Sequence, residues 1–237
     1  MKILDKKSIT EETLPVNFEE GRVVLIDKPL TWTSFQTVKK LRYLTKCKKI
    51  GHAGTLDPLA TGLLIICSGK ATKMIESIQA TEKEYTGEFF IGKTTPSYDL
   101  ETEVNASFPT EHITDELLRK TSLEFVGEIM QTPPLFSALK VDGKRAYELA
   151  RKGVEKELNA RKILIKEFEL TEVQLPIIKF RLVCSKGTYV RSLAYDFGKA
   201  LQSGAYLASL RRTKIGEYDV DDAFTLSEVE NFIKRNV

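Results

Sequence analysis

Short apolar runs with strand character alternate along this whole chain with segments of helical spacing, and no internal repeat or low-complexity linker interrupts them. This intermixing is the strongest constraint on the fold, because strand faces and helix stripes must then share a buried core. It predicts an α/β or α+β architecture, with residues 1–20 as a loose polar arm and 21–237 as a single domain. RVVLIDKP (22–29) reads as a strand stopped by Pro29, and GLLIICSG (62–69) as a buried one. Between them, Ser34 is placed to cap a helix through Leu44, with Phe35, Val38, Leu41 and Leu44 on one side. IGHAGTLDP (50–58) reads as a loop, GKATKMIESI as a helix and KEYTGEFFIG (83–92) as a strand. A long polar connection follows from Thr94, and Thr114 caps the next helix. Residues 161–175 and 177–184 read as two strands parted near Pro176. Thr188 is placed to cap a helix to about Gln202, buried through Val190, Leu193, Ala194, Phe197 and Leu201. A strand region over 205–220 and a helix near 226–235 complete the chain.

With 237 residues and 42 % hydrophobic content the chain can bury a substantial core. No apolar run approaches the roughly 18 residues that span a bilayer. The opening MKILDKKSITEETLP has no signal-peptide core, so a cytoplasmic location is expected. Cys47, Cys67 and Cys184 are odd in number and far apart, which fits a reducing compartment. Only His52 and His112 are histidines, and no paired spacing suggests a metal site.

The net charge is only +3, but its distribution is uneven. From Lys28 to Leu56 stand Lys28, Lys39, Lys40, Arg42, Lys46, Lys48 and Lys49 without one acid. From Ser97 to Glu128 eight acids face Arg119 and Lys120, a local net of −6. The basic stretch reads either as a face for a polyanion or as a solvated charged helix.

GHAGTLDPLATGLL (51–64) carries the strongest chemical signal. Its glycines allow close backbone approach, and Pro58 biases Asp57 toward extended geometry. A carboxylate on a stiff loop beside a basic segment suits a nucleophile. The same residues also suit an Asp-Pro turn in which Asp57 only caps amides. In CSKGTYVRSLAYDFG (184–198), Arg191 falls in the first turn of the helix, where the positive helix end favours an acid. It reads as a partner for a carboxylate such as Asp57, or as a surface arginine at a frayed end. Tyr85 could stack on a base, but by itself it reads better as an ordinary half-buried strand aromatic. Tyr189 and Leu210 carry the same structural reading, and His52 could contact a nucleotide, although a lone loop histidine is usually a surface residue.

Taken together, DKPLTWTSFQTVKKLR (27–42), GHAGTLDPLATGLL (51–64), KEYTGEFFIG (83–92), QTPPLFSALKVDGKRAYELARKG (131–153), CSKGTYVRSLAYDFG (184–198) and AYLASLRRTKIG (205–216) resemble, in order, the TruB family of bacterial tRNA pseudouridine(55) synthases. The resemblance implies the pseudouridine synthase fold: a mixed, largely antiparallel sheet flanked by helices, with an RNA-binding cleft. It implies that Asp57 is the catalytic aspartate, Arg191 the arginine paired with it, and Tyr85 the tyrosine that stacks on the flipped base. It places His52, Tyr189 and Leu210 around that base, Lys28 in support of the site and Lys140 toward RNA. It also implies isomerisation of uridine 55 in the tRNA T-loop without cofactor or metal, by a monomer. Two departures stand out. The family's Thr-x-Thr/Ser-x-Asp stretch is shifted in GKTTPSYDLETE (92–103), and the chain stops at Val237, where many members continue into a PUA domain. The competing readings are a non-catalytic tRNA-binding or folding module, and a glycosylase-type hydrolase.

Overall fold

The computed structural model describes residues 2–7, 16–137, 139–141, 143–150 and 158–236. The chain opens with strands β1 (Lys2–Leu4) and β2 (Arg22–Lys28), helix α1 (Ser34–Thr45), and strands β3 (Ile50–His52) and β4 (Ala60–Ser68). A 3-10 turn over Gly69–Met74 leads into α2 (Ile75–Ala80) and β5 (Lys83–Ile91). Then come β6 (Lys93–Thr94), β7 (Ala106–Ser107), α3 (Asp115–Glu124), β8 (Gly127–Gln131), β9 (Lys140–Val141), β10 (Lys144–Arg145) and α4 (Ala146–Ala150). The last elements are β11 (Arg161–Gln174), β12 (Ile177–Cys184), α5 (Val190–Ala200), β13 (Ala205–Ile215), β14 (Tyr218–Asp219) and α6 (Leu226–Asn236).

These residues form two compact units, one of 1–85 with 210–237 and one of 86–209. In the first, hydrogen-bonded strands run in the order β1-β2-β4-β13-β5, with β3 on β4 and β14 on β13. β2 and β4 pair antiparallel from Val23↔Cys67 to Lys28↔Gly62, whereas β4 and β13 pair parallel, Leu210↔Ala60 to Arg212↔Gly62. Both β2 and β4 are apolar on consecutive residues because both their faces are covered. Val23, Leu25, Leu63, Ile65, Ile78, Ile215 and Val220 close the core on one of those faces. In the second unit the order is β13-β5-β12-β11-β8, with β11 antiparallel to both β12 and β8. Its core is a nest of phenylalanines: Phe89 lies 4.4 Å from Phe180, and Phe168 5.5 Å from Phe197. Tilted and edge contacts of this kind add roughly 0.5–1.5 kcal/mol per pair beyond burial. Phe197 comes from α5, whose expected apolar face of Val190, Leu193, Ala194, Phe197 and Leu201 is buried throughout. The strands are mostly antiparallel, with parallel pairs at β1/β2 and β4/β13.

Several local expectations are corrected. The described part of the arm is not loose: β1 pairs with β2 in parallel, and Leu4, Val16 and Phe18 are buried. The 50–58 segment begins with a short strand, β3, held on β4. The cap of α1 is Thr33, in a reciprocal capping box with Gln36, and not Ser34. Phe35, expected on the buried side of α1, points outward and is 67 % exposed. The cap position of α5 is Tyr189, so Arg191 is the second helical residue, and Thr188 turns its hydroxyl to Ser185 O. Thr95, Ser97 and Asp99, in the expected polar connection, are buried.

Candidate active site

The Asp57 loop is fixed from three sides within the first unit. Leu56 N donates to Ser34 Oγ at 2.9 Å, and that hydroxyl donates to Leu56 O at 3.1 Å. Ser34 is thus engaged by the loop, which leaves the capping of α1 to Thr33. Thr31 N donates to Pro58 O, and Ala60 N closes a turn on Asp57 O. The third support is Arg212, 1 % exposed. Its Nε donates to Leu63 O at 2.8 Å, and its two terminal nitrogens to Gly54 O at 3.2 Å and Thr55 O at 3.4 Å. A planar guanidinium can serve three carbonyls at once. Gly62 takes φ +101, and a Cβ there would stand 2.3 Å from Arg212 O, so only glycine lets β13 lie this close.

Lys28 is fully buried and donates to Pro29 O at 3.0 Å and Trp32 O at 2.7 Å. Burial pushes its ammonium down to about 8; the Asp57 carboxylate pulls it up, and the Arg212 guanidinium pushes it down again. The Asp57 carboxylate therefore lies within the field of a buried lysine. His52 stands at the end of β3 with its Nδ1 buried and without a hydrogen-bond partner among the described residues. Burial lowers its pKa, hydrogen bonding toward the Gly54 backbone works against this, and the Arg212 charge lowers it further; the net direction favours a neutral ring. Leu210, in register with Ala60, is half-buried, and Tyr85 on β5 is 9 % exposed. Asp57, Lys28, His52, Leu210 and Tyr85 thus all belong to the first unit.

Arg191 and Tyr189 belong to the second unit. Arg191 is 4 % exposed, and its terminal nitrogens donate to Ser97 O at 3.2 Å and Phe136 O at 3.0 Å. Its Nε stands 3.6 Å from Asp99 Oδ2, with both side chains buried. This acid offsets the unfavourable placing of an arginine in a first helical turn. Asp99 is itself held: Thr95 Oγ1 and Ser97 Oγ donate to its carbonyl at 2.6 and 3.1 Å. The shifted 92–103 stretch thus keeps an aspartate in contact with Arg191. Tyr189 exchanges two hydrogen bonds with the Gln131 amide, and Arg161 lies 4.8 Å above its ring. Lys140 pairs through its backbone with Arg145 in the β9–β10 hairpin, while its side chain and residues 151–157 lie outside the described part.

Sequence reasoning missed Arg212, Asp99 and the loop-holding role of Ser34. The capping signature Thr33-x-x-Gln36, which leaves Ser34 unneeded as a cap, was a legible sign of the last.

A model of the TruB family pseudouridylate synthase N-terminal domain matches residues 42–190, and a tRNA pseudouridylate synthase B C-terminal domain model matches 191–236. The chain belongs to the TruB family. Among relatives within that family, tRNA pseudouridine synthase B of Flavobacterium johnsoniae is 59 % identical over 93 % of this chain and 99 % of its own length. The protein of the same name from Parabacteroides distasonis is 54 % identical, covering 94 % of this chain and 97 % of its own. Among solved structures, a Cbf5-Nop10-Gar1 complex aligns with a TM-score of 0.71 at 26 % identity over 97 % of this chain. An archaeal box H/ACA sRNP Nop10-Cbf5 complex aligns with a TM-score of 0.68 at 25 % identity over 92 % of this chain. This TruB-family chain spans 58 % and 55 % of the matched chains in those complexes. The expected pseudouridine synthase fold is therefore present, and the sheet is mixed and mostly antiparallel as expected.

Proposed function

We propose that this protein isomerises uridine 55 in the T-loop of tRNA to pseudouridine, acting as a monomer in the cytoplasm with no cofactor. The observation that carries the reading is the family membership together with relatives named tRNA pseudouridine synthase B, at 59 and 54 % identity over nearly their whole length. The reaction detaches uracil from its ribose, turns it and rejoins it through carbon, with no net redox change. The target must leave the base stack, at a cost on the order of a few kcal/mol.

Asp57 is the nucleophile in this reading. Its support is a loop whose backbone is held by Ser34 and Arg212, with the buried Lys28 ammonium nearby. Arg191 is assigned to the same carboxylate on the resemblance in 184–198. What supports that role is its burial and its fixing by Ser97, Phe136 and Asp99. Tyr85, Leu210, Tyr189 and His52 are assigned to the flipped base, the neutral His52 ring to stacking or donation, and Lys140 to the RNA backbone.

The test is tritium release from a tRNA transcript labelled at uridine C5, for wild type and Asp57→Asn. Release by wild type alone, mapped to the T-loop by carbodiimide-blocked primer extension, supports the proposal. Equal release by both proteins removes Asp57 from the chemistry. Tight tRNA binding with no release by either favours a binding module, and free uracil in the supernatant favours hydrolysis.

A further inference from the structure

The outward face of α1 carries an unusual set of side chains. Phe35 and Tyr43 are 67 and 72 % exposed, although a helix normally turns such rings inward. Lys39 and Lys46 lie on the same stripe, because steps of four, four and three residues keep to one face. Lys46, the left-handed residue that ends α1, sets its ammonium 4.2 Å above the Tyr43 ring. The inward face is occupied by Thr37, Val38, Leu41 and Thr45, so these rings are not spare core. Of the other cations of the segment, Lys40 pairs with Glu230, Arg42 donates to Ile50 O and Lys28 is buried, while Lys48 and Lys49 are exposed beyond the end of α1. Lys39 and Lys46 make no ion pair with any described residue. No acid occurs between Lys28 and Leu56 to neutralise the face.

We propose that Phe35, Lys39, Tyr43 and Lys46 form a track for unpaired RNA next to the nucleotide under modification, a proposal that rests on the RNA substrate argued above. Two observations join to support it. Exposed aromatic rings offer stacking platforms that any base fits, and interleaved lysines neutralise phosphates. The stripe also begins beside the Asp57 loop, since Ser34, at the first turn of α1, holds Leu56 through two hydrogen bonds. Eight residues of helix separate the two rings by about 12 Å along the axis. RNA entering at Asp57 therefore meets first Phe35 and Lys39, then Tyr43 and Lys46. The occupant fitting this face is a single-stranded or looped polyanion, because paired bases present no free faces to an aromatic ring.

The test is filter binding of an unmodified tRNA transcript across a salt series, with tritium release measured in parallel. Phe35→Ala/Tyr43→Ala is compared with Lys39→Gln/Lys46→Gln and with the conservative Phe35→Tyr/Tyr43→Phe. All four positions are exposed, and melting curves matching wild type verify the fold. The alanine pair is expected to weaken binding by about five-fold or more with an unchanged salt slope. The glutamine pair is expected to lower the salt slope by about 1.4, the value for two lost phosphate contacts on single-stranded RNA. The conservative pair binds as wild type, and in tritium release the alanine and glutamine pairs are expected to raise KM. Variants that bind like a wild type active on tRNA overturn the track and leave the proposed function standing. A wild type that neither binds nor converts tRNA overturns both.

Discussion

Replacing Arg212 by lysine keeps a positive charge in the first unit but removes the fork that reaches three carbonyls. The side chain is 1 % exposed, and its acceptors stand at 2.8, 3.2 and 3.4 Å. A hydrogen bond to a charged group is worth about 1.5–3 kcal/mol. A lysine ammonium reaches one or two of these oxygens from a different angle. With the 3.4 Å contact counted as weak, the expected destabilisation is about 2–4 kcal/mol. That is within the 5–15 kcal/mol typical of a folded protein, so Arg212→Lys folds. The urea midpoint should fall by about 1–2 M with an unchanged slope. The lost contacts hold Gly54 and Thr55, two and three residues before Asp57, so the carboxylate loses its fixed aim. A displacement near 1 Å costs about 100-fold in rate. Tritium release at saturating tRNA should therefore fall far more than KM changes. Wild-type kcat in a destabilised variant would refute the positioning argument. An unchanged urea midpoint would refute the energetic one.

Lys28→Met should alter how stability depends on pH. The folded-state pKa of about 8 lies below the ordinary 10.5. Below 8 the lysine is charged in both states; between 8 and 10.5 the unfolded chain holds the extra proton, so wild-type stability rises with pH there. This contribution is complete above 10.5 and is lost as pH falls through 8; the methionine variant should lack that rise in urea midpoints, and equal slopes would refute it. Asp99→Asn removes the charge 3.6 Å from Arg191 Nε and should cost about 3 kcal/mol of stability. In tritium release its kcat should drop about ten-fold or more while KM stays near wild type, and a change confined to KM would refute the positioning role. Gly62→Ala forces a methyl to within 2.3 Å of Arg212 O at φ +101, and thermal unfolding should show a loss of at least about 2 kcal/mol. Gly127→Ala shares the strained φ but meets nothing within 4 Å, so it should lose less.

The sequence makes β2 and β4 plain, because strands covered on both faces are apolar without interruption. The α5 face is equally plain, since Leu193, Ala194, Phe197 and Leu201 repeat at helical spacing. Arg212 is hidden for a definite reason. In LRRT two adjacent arginines look equivalent, yet a strand sends them to opposite faces. Arg211 makes a bidentate pair with Asp27 at a partly exposed site, while Arg212 is enclosed. Nothing local says which is which until the register with β4 is set. Asp99 is hidden because Ser97 and Thr102 satisfy each other and Thr95 donates to the Asp99 carbonyl, so Thr95, Ser97 and Asp99 are buried in a segment polar enough for a surface connection. Asp57 stands out only through the ordered motifs, because an Asp-Pro turn alone carries no chemistry.

The hold of Arg212 on the Asp57 loop spans 149 to 158 residues of chain. The first unit is split accordingly: its opening 85 residues wait for a closing segment that begins at 210. On the ribosome, β2 and β4 emerge early and can pair, but the arginine that sets the loop arrives last. A nascent chain halted before β13 would hold the Asp57 loop only through Ser34 and Thr31, without the Arg212 fork. The full set of supports for this loop is thus complete only near the end of synthesis.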